Sequence, residues 1–258
     1  MLRLETHDAF MNMAIDEAIL TARIEGRATD TLRYFSWKPS AVSIGKFQRV
    51  ENEVQLENCK QRGIDVVRRI TGGGAVYHDA EDEITYSLVA SRESLKAGSI
   101  ADVYERIYTG LTRALGILGV AADFNEGSAK ACPNLTVKGR KISGSAQCHR
   151  REVVLQHGTI LANVNLEKMF TYLRVPWAES CMQVVSIARR KITSLHDELG
   201  ENVSPAELVH ALEEGFGQAL DVKIVSGALT PRERQLAEKL LEQKYATTDW
   251  NLHGRSSS

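Results

Sequence analysis

The sequence predicts an α+β fold: a mixed, largely antiparallel sheet flanked by helices. Three observations carry this reading. Many of the strand-like runs pair as hairpins. Helical patterns are interspersed among them, and the chain turns mainly helical after residue 165. This order suits an antiparallel-rich sheet better than a doubly wound parallel one.

The elements follow in order. Residues 10–26 (FMNMAIDEAILTARIEG) carry apolar side chains at Met13, Ile15, Ile19, Leu20 and Ile24, with Gly26 near the stop, and predict a helix. TLRYFSW (31–37) and AVSIG (41–45) read as short strands split by Lys38-Pro39-Ser40. Residues 51–62 read as a polar-faced helix ending at Gly63, IDVVRR (64–69) as a strand, and EITYSLVA (83–90) as an alternating strand. Residues 102–119 form a helical pattern with a glycine stop. LTV (135–137), the pair Lys138-Gly139 and KISGSAQ (141–147) read as a β-hairpin, and VVLQHGTILANV (153–164) as a further strand. Residues 204–220 and 230–245 each open with a hydroxyl residue, then proline, then glutamate at the third helical position, a capping signature.

The chain has 258 residues, 43% apolar and 25% charged, with a net charge of −1. That is enough for one large domain. The balance provides no field that would draw it to nucleic acid or an anionic membrane. Cys59, Cys132, Cys148 and Cys181 are scattered with no CxxC pair, which argues against a zinc site or disulfide scaffold and suits a reducing cytoplasm. No signal-peptide core opens the chain, and no run approaches the ~20 apolar residues of a membrane span.

Three stretches carry chemistry. RRITGGGAVYHD (68–79) sets Gly72, Gly73 and Gly74 between two arginines and a histidine. Glycine is costly to order, so the triplet marks either a tight turn or a place where something approaches the backbone closely. Its amides could then face an anion, with Arg69 supplying a forked cation. The pattern is neither a P-loop nor a dinucleotide fingerprint. In GRKISGSAQ (139–147), strand alternation puts Lys141, Ser143 and Ser145 on one face and Ile142, Gly144 and Ala146 on the other. Lys141 is either a solvated edge lysine or a cation placed to meet developing charge. In LQHGTILANV (155–164), His157-Gly158 interrupts an apolar strand, as a satisfied half-buried histidine or as a catalyst.

Together, and in this order, these motifs resemble the lipoate–protein ligase family, of the biotin/lipoate ligase superfamily. FMNMAIDEAIL (10–20), RYFSWKPSAVSIGKFQ (33–48) and KYATTDWN (244–251) resemble its first helix, first strand pair and closing segment. The resemblance implies a fold like biotin ligases and the class II synthetase core, in a single catalytic domain over 1–251 with a disordered or non-native tail at 252–258. It implies activation of lipoate by ATP with Mg²⁺ to lipoyl-AMP, then transfer to a lysine of an acceptor lipoyl domain, on a 2-oxoacid dehydrogenase subunit or a glycine-cleavage carrier.

By motif position, Lys141 is the catalytic residue. Arg69, Gly72, Gly73, Gly74, Ala75, Val76, Tyr77, His78, Asp79, Gly144, Ser145, His157 and Gly158 form the substrate and nucleotide site. Mg²⁺ is expected mainly on phosphates, with Asp79 as an aid. Val76, Tyr34, Phe35 and Phe47 are candidates for an apolar acyl slot.

Two departures from the family pattern stand out. The chain ends where many relatives add an accessory domain, which resembles the catalytic part of a bipartite ligase with a separate accessory subunit. Pro133-Asn134-Leu135 stands where the family often has an Asn-Asp pair. The alternative within the superfamily is an octanoyltransferase, which uses no ATP. There a cysteine takes octanoyl from a carrier protein and passes it to a lysine. Cys132, seven residues before Gly139, lies near that nucleophile's region, with Lys130, Lys138 or His149 available to lower its pKa.

Overall fold

The computed structural model describes residues 1–127, 133–175, 178 and 180–255. Along the chain run β1 (Leu2–His7), α1 (Ala9–Ile24), β2 (Thr31–Trp37), β3 (Ala41–Ile44), α2 (Val50–Glu53), α3 (Leu56–Gln61), β4 (Asp65–Arg68), β5 (Val76–His78) and β6 (Glu83–Ser91). Then come α4 (Ile100–Ile117), β7 (Asp123–Asn125), β8 (Asn134–Val137), β9 (Arg140–Arg150), β10 (Val153–Leu161), α5 (Leu166–Tyr172), α6 (Cys181–Ala188) and α7 (Leu195–Leu199). α8 (Pro205–Leu220), α9 (Pro231–Leu240), a π-helical turn (Leu241–Tyr245) and α10 (Thr248–His253) complete it. Cys132 and Lys130 lie outside the described residues.

Among the described residues, a seven-stranded sheet has the order β1-β2-β6-β10-β9-β8-β7, and a smaller one the order β4-β3-β5. Pairing is antiparallel except between β1 and β2 and between β3 and β4. This is the mixed, mainly antiparallel α+β arrangement expected. The β8–β9 turn has Lys138 at φ 50 and Gly139 at φ 77, the two positive φ values that a two-residue type I′ hairpin requires. The helix expected over 51–62 is two short helices. Val54 between them is extended and bridges Leu173, so the chain leaves the helix to pair.

The large sheet buries a different side-chain set on each face, as alternation dictates. On one face Leu32, Tyr34, Ile84, Tyr86, Leu88, Val154 and Ile160 pack under α4 and α8. Gly110 and Gly215 let these two helices cross closely: a Cβ on Gly215 would lie 2.5 Å from the Gly110 carbonyl oxygen. On the other face Phe35, Trp37, Val89, Val153 and Leu155 pack with α1 and Ala237 of α9, joined by Ala41, Val67 and Ile70 from the small sheet.

The C-terminal segment locks the base of the glycine loop. Arg68 is buried and donates to the carbonyls of Gly45, Gln48, Trp250 and Leu252, while Trp250 Nε1 donates back to the Arg68 carbonyl at 2.9 Å. Helix α10 therefore takes in Leu252 and His253, the first two residues of the segment expected to be tail. No helix among the described residues is long and apolar enough to cross a membrane.

Candidate active site

A cavity of about 390 Å³ opens between the small sheet and the central strands β2, β6, β10 and β9 of the large one. The glycine loop forms one wall. Gly73 has φ +89, a backbone region that disfavours a side chain. A Cβ on Gly45 would overlap the Gly73 carbonyl, so Gly45 lets the loop lie against the end of β3. Gly73, Gly74, Ala75 and Val76 line the cavity. Gly72 is not in the lining; its carbonyl accepts from Arg69 Nη2 at 2.9 Å.

Lys141 forms part of the opposite wall, and its placement corrects the expected alternation. The register passes from Thr136↔Lys141 to Leu135↔Ser143, so Ile142 is the extra residue of a β-bulge. The bulge returns Lys141 to the face of Gly144 and Ala146, both cavity-lining, and leaves Ile142 and Ser143 buried. Ser145 also lines the cavity, and its hydroxyl bonds Tyr108 of α4 at 2.7 Å. A Cβ on Gly144 would lie 2.5 Å from Lys141 Nζ, so the lysine lies across a strand position that must be bare. The Lys141 backbone is pinned on its other edge by bonds to Lys191 and Thr193.

Arg69 lines the cavity, and its bonds to Ser43, Thr71, Gly72 and Gly74 serve the loop. Nη2 donates to the carbonyls of Gly72 and Gly74, Nη1 to Ser43 Oγ at 2.7 Å, and Nε to Thr71 Oγ1 at 3.2 Å. It thus acts as a brace for the loop in addition to any role toward a ligand. Beside it stand two buried histidines, His78 and His157, which also line the cavity. His157 contacts Thr71 Oγ1 and Asp16 Oδ2, each at 2.8 Å. His78 contacts Ser43 Oγ at 2.7 Å and Glu83 Oε1 at 2.6 Å, and stacks on Trp37 with centroids 3.9 Å apart. Burial pushes the His157 pKa down, and Asp16 only partly opposes this. Burial alone would raise the Asp16 pKa, but the His157 bond and the Arg33 guanidinium, 2.9 Å away, hold it below the usual carboxylate range.

Gly158 lies on the cavity wall, where a Cβ would meet the Gly144 carbonyl and the Tyr86 ring. Tyr77 and Asp79 point away from it, because β5 alternates: Val76 and His78 face in. Tyr77 stacks on Tyr172, and Asp79 accepts from Tyr77 and pairs with Lys168 at 2.7 Å. Asp79 is therefore committed to a cation of the chain rather than free to aid Mg²⁺. Of the acyl-slot candidates only Val76 lines the cavity. Tyr34 and Phe35 belong to the cores on opposite sheet faces, and Phe47 is 84% exposed. Met13, Trp37 and Ala146 supply the apolar lining instead, and sequence reading missed them. Met13 and Trp37 sit in runs that read as ordinary core. The relay hydroxyls Ser43 and Thr71 carried no local signal either.

Comparison with known proteins sharpens the assignment. The lipoyl protein ligase A/B catalytic domain model matches residues 8–217. Octanoyltransferase LipM of Kyrpidia tusciae is 40% identical over 94% of both chains, and that of Symbiobacterium thermophilum 39% over 93% of both. Among solved structures, a bi-partite lipoate protein ligase of Thermoplasma acidophilum matches with a TM-score of 0.87 at 28% identity, covering 100% of this chain and 97% of its own. A lipoate-protein ligase A bound with ATP matches with a TM-score of 0.86 at 29% identity, covering 99% and 98%.

These findings overturn one expectation. The curated relatives, at higher identity than the two ligase structures, are named for transferring an octanoyl group. The ATP-dependent ligase reading is therefore corrected, and ATP, Mg²⁺ and lipoate as its cofactors and substrate go with it. What the fold, the glycine loop and the matched residues establish together is that this chain belongs to the lipoyl protein ligase A/B catalytic-domain family, as an enzyme of lipoate-type protein modification.

Proposed function

We propose that this chain is an octanoyltransferase that takes an octanoyl group from a carrier-protein thioester and passes it to a lysine of an acceptor lipoyl domain, with Cys132 as nucleophile. The thiolate attacks the thioester carbonyl, the carrier thiol leaves and takes a proton, and an enzyme thioester forms. The acceptor lysine amine then attacks that carbonyl, an amide forms, and the cysteine sulfur is released as the amine gives up its proton. Both steps place negative charge on the carbonyl oxygen. A fixed ammonium lowers such barriers, typically by about 3 kcal/mol for one preorganised contact.

The observation that carries this reading is the position of Lys141. Its Nζ lies over Gly144 in the cavity wall, and Pro133, the covalent neighbour of Cys132, lines the same cavity. The other cysteines support the choice. Cys59 and Cys148 are pushed up in pKa by burial, Cys59 to about 11, and neither they nor Cys181 line the cavity. Of the groups expected to activate Cys132, Lys138 pairs with Glu198 and His149 contacts Gln147, while Lys130 lies outside the described residues; Lys141 is a cation of the cavity wall.

The test is transfer from an octanoyl-carrier protein to a lipoyl domain without ATP, read by mass spectrometry and run without any accessory polypeptide. Wild type should form an octanoyl adduct on itself and then on the acceptor, Cys132→Ala neither, and Cys148→Ala both. Undiminished transfer by Cys132→Ala would refute the assignment, and a need for an added polypeptide would restore the accessory subunit expected of a bipartite system.

A further inference from the structure

Arg69 is the meeting point of two chains with the same order of groups. One runs from Asp16 through His157 and Thr71 to Nε, the other from Glu83 through His78 and Ser43 to Nη1. The remaining nitrogen, Nη2, holds the Gly72 and Gly74 carbonyls. The N–H groups of Gly72, Gly73, Gly74 and Ala75 have no protein acceptor among the described residues. Arg69 thus ties down the Gly72 and Gly74 carbonyls, and Gly73, Gly74 and Ala75 face the cavity.

The protons follow from what each group can do. A guanidinium only donates, so the Thr71 and Ser43 oxygens accept from Arg69. Each hydroxyl has one proton, and the group across from it is a histidine Nε2. If that proton points at Nε2, the ring is the neutral Nδ1–H tautomer and its Nδ1–H meets the carboxylate. Every group is then satisfied. If a ring gains a proton, Nε2–H faces the hydroxyl oxygen and the hydroxyl proton has no acceptor left among the described residues. An imidazolium would also sit one hydroxyl away from the guanidinium.

We infer that Asp16, Thr71, Glu83 and Ser43, with the two histidines, are positioning residues: both rings are held neutral as Nδ1–H, and only then does Arg69 fix the glycine loop for acyl transfer. This rests on the proposed function. The charged groups around the rings are Asp16 from α1, Arg33 from β2, Arg69 after β4 and Glu83 from β6, with Lys141 from β9 on the wall of the same cavity. Burial already depresses the His157 pKa, with the Arg69 guanidinium adding to this. An unfolded histidine titrates near ~6.5, so as pH falls below that value the unfolded chain takes the proton first. Loop support should fail on this acid side.

The tautomers can be read without any activity. In ¹⁵N-histidine-labelled wild type at pH 7.5, two rings should show protonated Nδ1 and bare Nε2. Thr71→Val should move one Nε2 signal and Ser43→Ala the other, which assigns them. Nε2–H or doubly protonated rings at these positions would overturn the inference. In the transfer assay, Thr71→Val should lower kcat about ten-fold, less than the roughly 10²–10³-fold typical of a donor lost from the reacting oxygen itself, because Thr71 acts through Arg69, with KM for the octanoyl carrier little changed. Loss of the hydroxyl donor should also shift the acid limb of kcat to higher pH, and Thr71→Ser should restore it. An equal loss at all pH values would mark a packing role and defeat the inference. If wild type transfers no octanoyl group while the tautomers stand, it is the functional reading that fails. If transfer works and the tautomers are reversed, it is the brace.

Discussion

The two faces of the seven-stranded sheet are built on opposite principles. Toward α4 and α8, side chains such as Leu88, Ile107, Leu212 and Phe216 exclude water, and the polar groups among them, such as Gln156 and the Tyr86 and Tyr108 hydroxyls, are uncharged. Toward α1 and the small sheet, the same strands bury Arg33, Thr85, Ser87 and His157 against Asp16 and Glu83. The oily face stabilises by area, about 1.5–3 kcal/mol for each large apolar side chain buried. The polar face gains little net energy from its ion pairs, because burying charge costs nearly as much as pairing returns. Its contribution is geometric: each group has one arrangement that satisfies its neighbours, and that arrangement ends on the glycine loop. The fold rests on one face and the site on the other.

The largest expected effect comes from breaking the polar face. Arg33→Met removes the partner of Asp16 and the donors to Asn12 while leaving a carboxylate buried. Removing one member of a buried pair costs about 3–5 kcal/mol. Urea unfolding should show a loss toward the upper end of that range, together with lost transfer activity. Phe216→Ala on the oily face should cost about 3–4 kcal/mol by cavity formation, because Phe216 is fully buried against Gly110 and Tyr86. There the activity per folded molecule should hold. Equal activity losses in both variants would erase the distinction between the faces.

Much of the oily face was legible in the sequence. The helix over 102–119, the two capping signatures and the alternating strand at 83–90 correspond to α4, α8, α9 and β6 within a few residues. These are local patterns, and the core follows from them. The motifs RRITGGG, GRKISG and LQHG could likewise be read, because glycines and charges in strands are conspicuous. Their partners could not. Asp16 and Glu17 carry no local signal of burial, yet both are buried, since β6, β10 and the C-terminal segment cover that side of α1. The bulge at Ile142 was also invisible: nothing in KISG distinguishes a regular strand from one with an extra residue, and the difference moves Lys141 to the other face.

That bulge makes the next prediction sharper than the core mutations. Gly144→Ala puts a methyl group where the Lys141 side chain now lies. The obstacle is the far end of a flexible chain, so the lysine can swing aside and stability should change little. Transfer should fall about 10- to 100-fold, equivalent to about 1.4–2.7 kcal/mol of barrier. A chevron or melting curve near wild type, with kcat reduced, separates a displaced cation from a damaged sheet.

The smallest effect tests the oily face where it is least pure. Ser143, beside the bulge, is 1% exposed, and its hydroxyl has no hydrogen-bond partner among the described residues. A buried hydroxyl without a partner costs about 1–3 kcal/mol in mutational data. Removing it leaves only a small gap to offset that gain. Ser143→Ala should therefore raise unfolding free energy by about 1 kcal/mol, with no change in transfer rate, because the side chain lies on the face away from Lys141. If the variant is instead less stable, the hydroxyl holds the bulge through an ordered water. The bulge would then depend on a polar contact, and the face under α4 would share the other face's reliance on polar geometry.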